Sequence, residues 1–333
     1  MNEKKELGQF YTKKAEYITK NLLSIYPYEC SICDPFCGQG DLLSLFRETN
    51  GNKKLFGYDV QLENDKKFFR FYRNNSLRNP PNYEKIWIIT NPPYLAKNKA
   101  KEKKIFQDFQ LDDLYKISLK TLIGCEGGVI ILPVNFFSSL SNDIRKEFLS
   151  LYEVQRVNIF EEQVFDDTTY NICAFSFLKK QNEEQDIKFV FFPSQEEKTL
   201  TLKKKEDYTF AAEVYKLPVS EIKIGRLLNG QKPSTDLFLN AIDTTDEKIN
   251  LSINENHYYG KNTDRVFATI TSSKKFSLKQ QKEIAKLFNE ILNFYREKYR
   301  SLFLSNYRDR NRKRISFSLA YHLIKHCIYK LGY

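Results

Sequence analysis

Short apolar runs alternate with segments of helical spacing through the first two-thirds of the chain. The runs lie at Ser31–Cys33, Leu55–Val60, Ile86–Thr90 and Val129–Leu132, and the helical spacing is seen in segments such as Ala15–Leu23 and Phe106–Ile123. Strands alternating with helices predict an α/β domain on a mainly parallel sheet. Three more apolar runs, Val154–Phe160, Ile172–Leu178 and Ile187–Phe192, predict further strands, the last two joined by Lys-Lys-Gln-Asn-Glu-Glu as a hairpin at the sheet edge. The polar stretch Ser194–Asp207 marks the expected boundary between a first domain, 1–193, and a second, 194–333. The pattern is then irregular to about Ser277. From there Ile284, Leu287, Phe288, Ile291, Leu292, Tyr295, Tyr299 and Leu302 fall on one face and predict a long helix with Ser277 as N-cap. A basic stretch follows, and an amphipathic helix from about Ser316 closes the chain. The second domain is therefore expected to be α-rich.

Composition sharpens the picture in two places. With 41% hydrophobic residues the chain has material for a sizeable core, yet it contains no 18-residue apolar run and opens on Met-Asn-Glu-Lys-Lys-Glu, so no membrane association and a cytoplasmic location are expected. The formal charge of +11 is concentrated: residues 277–333 hold 13 Lys and Arg against 4 Asp and Glu, a net +9, and the rest of the chain carries only +2. A nearly neutral body with a basic end points to a polyanionic partner. Cys30, Cys33 and Cys37 lie close together but lack the second ligand pair of a structural zinc site, and His322 and His326 have Leu323 where a zinc peptidase would have Glu. No metal is expected.

Four strings carry candidate chemistry. Asn91-Pro92-Pro93-Tyr94 follows the run Ile86–Thr90 directly. Strand ends in an open α/β sheet face the ligand crevice. Two prolines stiffen the backbone there and remove two N–H donors, leaving acceptors: the Asn91 amide oxygen and the Pro92 carbonyl. Asp34-Pro35-Phe36-Cys37-Gly38-Gln39-Gly40 follows the first run, and its glycines let the backbone turn sharply beside a ligand. It lacks both the third glycine of a dinucleotide fingerprint and a phosphate-loop lysine. Asp59 ends the next run at a distance suited to a ribose diol. Gly8-Gln9-Phe10-Tyr11-Thr12 is by itself an unremarkable turn.

Together these strings resemble the amino-methyltransferases of DNA. Gly8–Thr12 is similar to the family's N-terminal cofactor motif, with Lys13 in place of a proline. Asp34–Gly40 resembles its cofactor loop, and Asn91–Tyr94 the catalytic motif of adenine-N6 enzymes. Only 50 residues separate Gly40 from Asn91, which resembles the gamma order with target recognition at the C-terminus; the likeness covers roughly 7–180. The resemblance implies a Rossmann-like methyltransferase domain, S-adenosyl-L-methionine as cofactor and double-stranded DNA as partner. The cofactor residues it implies are Tyr11, Thr12, Asp34, Phe36, Cys37, Gly38, Gly40, Asp59, Val60 and Asn75. Asn75 stands where the family often has an acid, and keeps an acceptor without the charge. The catalytic residues implied are Asn91, Pro92, Pro93 and Tyr94, with Phe165 as a second aromatic for a flipped-out base. Asp113-Leu114-Tyr115 and Gly127–Pro133 look like later scaffold motifs of the family.

The basic segment supplies the expected DNA contacts Arg296, Arg300, Arg308, Arg310, Arg312, Lys313 and Arg314. Ribosomal RNA adenine and protein glutamine methyltransferases share Asn-Pro-Pro-Tyr chemistry, and cytosine N4 is close to adenine N6. A non-catalytic DNA-binding module on the same fold is a further alternative. A nuclease is disfavoured, because strings such as Glu102-Lys103-Lys104 arise by chance in a Lys-rich chain. A cognate restriction endonuclease and the oligomeric state stay open.

Overall fold

Near-continuous apolar runs become the central strands of the larger sheet. A computed structural model describes residues 12, 14–27, 29–47, 54–60, 68–138, 143–166, 170–306 and 311–333. It divides into two compact units, one of Met1–Phe136 with Ser141–Tyr208 and one of Phe137–Leu140 with Thr209–Tyr333.

The first unit is built on nine strands: β1 (Ser31–Asp34), β2 (Leu55–Asp59), β3 (Arg70–Arg73), β4 (Ile86–Thr90), β5 (Gly127–Pro133), β6 (Tyr152–Phe160), β7 (Ile172–Lys179), β8 (Glu184–Phe192) and β9 (Glu196–Lys203). Their order is β3-β2-β1-β4-β5-β7-β6-β8-β9. β3 to β5 are parallel neighbours, and β7 enters antiparallel between β5 and β6. This is the expected α/β architecture on a mainly parallel sheet, extended at one side by strands of mixed direction. Every residue of β5 is buried, and so is all of β4 except Ile86, as strands covered on both faces require. The edges behave oppositely: β3 and β9 are largely exposed and charged, which blunts open strand edges.

Three sequence expectations change in this unit. The last two apolar runs do not form a hairpin, because β7 is held between β5 and β6 while β8 runs parallel to β6. The hairpin partner of β8 is β9, and it lies inside the stretch 194–207 read as a boundary. The break between the units accordingly falls at Tyr208/Thr209: the polar stretch alternates, and alternation suffices for an edge strand. The segment Phe106–Ile123 is two helices, Lys104–Phe109 and Leu114–Thr121. Gln110 ends the first in a left-handed conformation, and Asp113 caps the second by accepting the Tyr115 N–H. Near the N-terminus a short helix, Ala15–Ile18, is anchored to β6, where buried Asn158 donates to the Ile18 and Lys20 carbonyls at 3.2 and 2.9 Å.

The second unit is less helical than expected. Its irregular-looking part forms an antiparallel sheet, β10 (Ile224–Arg226), β11 (Leu237–Asn240), β12 (Asn250–Ile253) and β13 (Phe267–Ser272), in the order β10-β13-β11-β12. Strands this short leave too few alternations to read from sequence. The two expected helices are present as Leu278–Lys298 and Phe317–Leu331. The first opens on a full capping box, Ser277 accepting the Gln280 N–H and Gln280 accepting the Ser277 N–H. It buries Ile284, Ala285, Phe288 and Leu292 and runs along β12, where Asn289 takes both backbone groups of Leu251 at 2.9 and 2.8 Å. Among the described residues no helix is long and apolar enough to cross a membrane, and no group of three or more His, Cys, Asp or Glu is placed to hold a metal.

Candidate functional site

The chain runs from β1 outward to β2 and β3 on one side and returns through β4 to the other. The crevice therefore opens where the order reverses, beyond the carboxyl ends of β1 and β4. A pocket of about 350 Å³ lies there within the first unit.

β1 delivers Asp34 to its floor. The buried Asp34 Oδ1 accepts the Phe36 N–H at 3.0 Å and the Thr90 hydroxyl at 2.6 Å, the latter bridging β1 to β4. Burial pushes the carboxyl up to about 7 against the opposing pull of these two bonds. The chain then turns tightly. Cys37 N–H donates to the Tyr58 carbonyl, and Gly38 N–H to Asp59 Oδ2, both at 2.9 Å, tying the turn to β2. Gly40 sits at φ 78°, and a Cβ there would come within 2.5 Å of the Phe69 ring, so any other residue would strain the backbone and displace that ring.

β4 delivers Asn91. Its amide Nδ2 donates to Thr12 Oγ1 at 3.1 Å, which holds Thr12 at the pocket. Tyr94, 2% exposed, sets its hydroxyl between Asn91 Oδ1 and the Ile131 carbonyl, the latter at 2.8 Å. Burial raises its pKa well above the ordinary phenol value. The Tyr94 ring meets Tyr170 edge-on at 6.5 Å.

Ten of the sequence-predicted residues line this one pocket: Thr12, Asp34, Phe36, Cys37, Gly38, Asp59, Val60, Asn75, Asn91 and Pro93. Gly40 shapes the turn, while Pro92, Tyr94 and Phe165 are buried outside the lining. Tyr11, Arg308 and Arg310 lie outside the described residues. Asn75 Oδ1 accepts the Leu77 N–H at 3.2 Å, so part of its acceptor capacity is used locally.

The sequence did not reveal the opposite wall. Leu77, Ala100, Ile105, Phe106 and Leu114 form one apolar cluster with Phe36 and Leu95 packed on it. Helical spacing was visible around Phe106 and Leu114, but nothing in it said which residues would face the crevice. Asp41 joins Asp34 and Asp59 in the lining, and Arg78 pairs with Glu102 at 2.8 Å beside it. Three carboxylates against an apolar wall suit an organic cation with a flat ring. The one thiol in the lining, Cys37, has its pKa raised by burial, so it is protonated and a weak nucleophile. The pocket is equipped to bind and orient.

In the second unit the predicted DNA contacts separate into two kinds. Arg296 is held by both oxygens of buried Asp243, at 2.9 and 2.8 Å, and Lys313 is buried with its Nζ on Asn306 and, at 2.7 Å, on Asn311 Oδ1. Both cations are committed inside the unit. Arg300, Arg312 and Arg314 are half-buried, and Arg314 sits on the short ladder Ser305–Asn306 with Lys313–Arg314.

No family model and no curated protein sequence matches this chain. Among solved structures it is similar to the methyltransferase subunit of a type I restriction-modification system from Streptococcus thermophilus, at 16% identity over 55% of this chain and 47% of that one, with a TM-score of 0.43. A chain from a structure of a type I restriction-modification system aligns at 14% identity over 63% of this chain and 51% of that one, with a TM-score of 0.45. The type IIL restriction-modification enzyme MmeI, solved in complex with DNA, aligns at 14% identity over 66% and 40%, with a TM-score of 0.42. The matched regions span about half or less of these solved chains' length.

Proposed function

We propose that the chain is an S-adenosyl-L-methionine-dependent methyltransferase acting on the exocyclic N6 of adenine in double-stranded DNA, as the modification activity of a restriction-modification system. The observation that carries this reading is the meeting of Asn91 and Pro93 with Asp34–Gly38 and Asp59 in one pocket. The residues fit the cofactor. Asp59 suits a ribose diol, the Asp34 and Asp41 carboxylates suit its cationic groups, and Phe36, Leu77, Ile105 and Phe106 offer a flat apolar berth for its adenine ring, with Asn75 as acceptor. When bound, this cofactor supplies a methyl group already activated on a sulfonium.

The protein then has to hold the target amino group in line. The Asn91 amide oxygen and the Pro92 carbonyl would accept its two N–H bonds. Those bonds polarise as the nitrogen becomes tetrahedral and cationic, so the two acceptors bind the transition state more tightly than the ground state. Before DNA binds, the Tyr94 hydroxyl holds the Asn91 amide in place. A paired base cannot reach a crevice of this kind, so the adenine must leave the duplex. Stacking by Tyr94 and Phe165, both buried, would follow a rearrangement on DNA binding. Arg300, Arg308, Arg310, Arg312 and Arg314 are the proposed phosphate contacts, and the basic C-terminal segment supports a nucleic acid over a protein amide as substrate.

The test is transfer of labelled methyl from the cofactor to purified DNA, ribosomal RNA and release factor, followed by nucleoside and peptide analysis. N6-methyladenine in DNA is expected. N4-methylcytosine, or label confined to RNA or protein, would sink the substrate assignment, and absence of cofactor binding would sink the whole reading.

A further inference from the structure

The outer face of the C-terminal sheet carries aromatic side chains that no role above uses. β11 and β13 pair with Phe238 opposite Thr269, which places Phe238, Phe267 and Thr269 on one face. The Phe238 and Phe267 rings are diagonal neighbours and stack, centroids 5.7 Å apart and planes 20° apart. Tyr258 completes the group: its N–H donates to Thr269 Oγ1 at 2.8 Å and its ring meets Phe267 edge-on at 6.4 Å. The other face of the same sheet, with Leu237, Leu239, Leu251 and Ile270, is buried and supplies the core. On the aromatic face Asn240 and Thr269 are buried, while the rings keep part of their surface in solvent. Phe267 and Tyr258 are each 37% exposed, and Tyr259 beside them is 46% exposed.

The charge around the rings is directional. Lys261 and Arg265 are exposed in the loop that joins Tyr258 to Phe267. The loop's acid, Asp264, spends one carboxylate oxygen on the Tyr258 hydroxyl at 2.8 Å and the Lys261 N–H at 2.7 Å. Arg226 Nη1 fixes the loop from β10 by donating to the Asp264 carbonyl at 2.6 Å. Partly exposed rings with Lys261 and Arg265 beside them match a nucleic-acid strand, with bases against the exposed ring surface and phosphates on the Lys and Arg side chains. Bases in a duplex are stacked on one another and offer only their edges in the grooves, so the complementary ligand is unpaired.

We propose that Phe238, Phe267 and Tyr258, with Lys261 and Arg265, form a stacking platform for unpaired bases of a DNA strand, distinct from the basic segment 296–314. The choice of DNA rests on the function proposed above; the platform itself rests on the ring geometry.

The test uses the full chain and a short oligothymidylate carrying one 2-aminopurine, whose fluorescence is quenched on stacking, with a fully paired duplex of the same sequence as competitor. The oligonucleotide should bind with quenching, and the duplex should compete poorly. Phe267→Ala should weaken binding about tenfold, the effect of losing one stacked base. Phe267→Leu keeps the apolar volume without the ring and should show the same loss, while Phe267→Tyr should restore binding. Melting temperatures confirm that each variant is folded. No quenching by the wild type, or quenching retained in both the Ala and Leu variants, overturns the platform. Cofactor binding measured on the same preparations separates the two readings: its absence would defeat the methyltransferase proposal and leave the platform to the oligonucleotide result.

Discussion

Asp34 is where burial and function meet most directly. Its folded-state carboxyl is pushed from 3.8 to about 7 by burial, so between those values the folded chain holds a proton that the unfolded chain has lost. Its contribution to stability therefore declines as pH rises through that window and levels off above it. A cationic cofactor beside it favours the ionised form. Affinity for S-adenosyl-L-methionine should rise as pH climbs through about 7, and Asp34→Asn should flatten that dependence in calorimetric titrations. A wild-type affinity that is level across the range would detach Asp34 from the cofactor. Asn91 makes the second argument at this scale. Its amide is fixed by Thr12 and Tyr94 and faces the pocket. Asn91→Ala should lower turnover by about 10²- to 10³-fold, the range for removing one transition-state partner. Cofactor affinity should be unchanged, and a variant with wild-type rates would remove Asn91 from the chemistry.

Among the elements, the turn after β1 and the cap of the long helix Leu278–Lys298 show how local chemistry sets larger structure. The turn is closed by backbone N–H donors to Tyr58 and Asp59, so β2 and the glycine loop form one unit of geometry. The helix begins where Ser277 and Gln280 satisfy each other's backbone N–H groups. Ser277→Ala should lower the stability of the C-terminal unit by about 0.5–2 kcal/mol. It should leave cofactor affinity untouched, because the pocket proposed for the cofactor lies wholly in the other unit. Denaturant unfolding and cofactor titration on the same variant check both halves. A loss of cofactor affinity would show that the units depend on each other.

For the molecule as a whole, the net charge is less informative than where each cation is committed. Partly buried Arg296 and buried Asp243 form a bidentate pair, and removing one partner destabilises by up to about 3–5 kcal/mol, the range for a fully buried pair. Arg296→Ala should therefore appear as a lower melting temperature of the chain, and an unchanged melting temperature would return Arg296 to the surface cations. Replacing Arg310, Arg312 and Arg314 together by Ala should instead weaken DNA binding across sequences. It should also flatten the dependence of log K on log salt by about 0.9 per lost phosphate contact. A salt slope equal to that of the wild type would place the DNA elsewhere.

The sequence by itself determined what depends on neighbours along the chain. The apolar runs gave the parallel strands, Ser277 and Ser316 gave the starts of the last two helices, and the strings at 34–40, 59 and 91–94 named eight of the residues that line one pocket. These are local signals: strand burial, helix capping, and the backbone demands of glycine and proline. Only the tertiary structure decided that β7 inserts between β5 and β6, that Leu77, Ile105 and Phe106 make the far wall, and that Arg296 and Lys313 face inward while Phe267 faces out. Each of those outcomes depends on which face of an element meets a partner distant in sequence. Apolar spacing and charge counts are the same for either face, so the partner has to be in place before the choice exists.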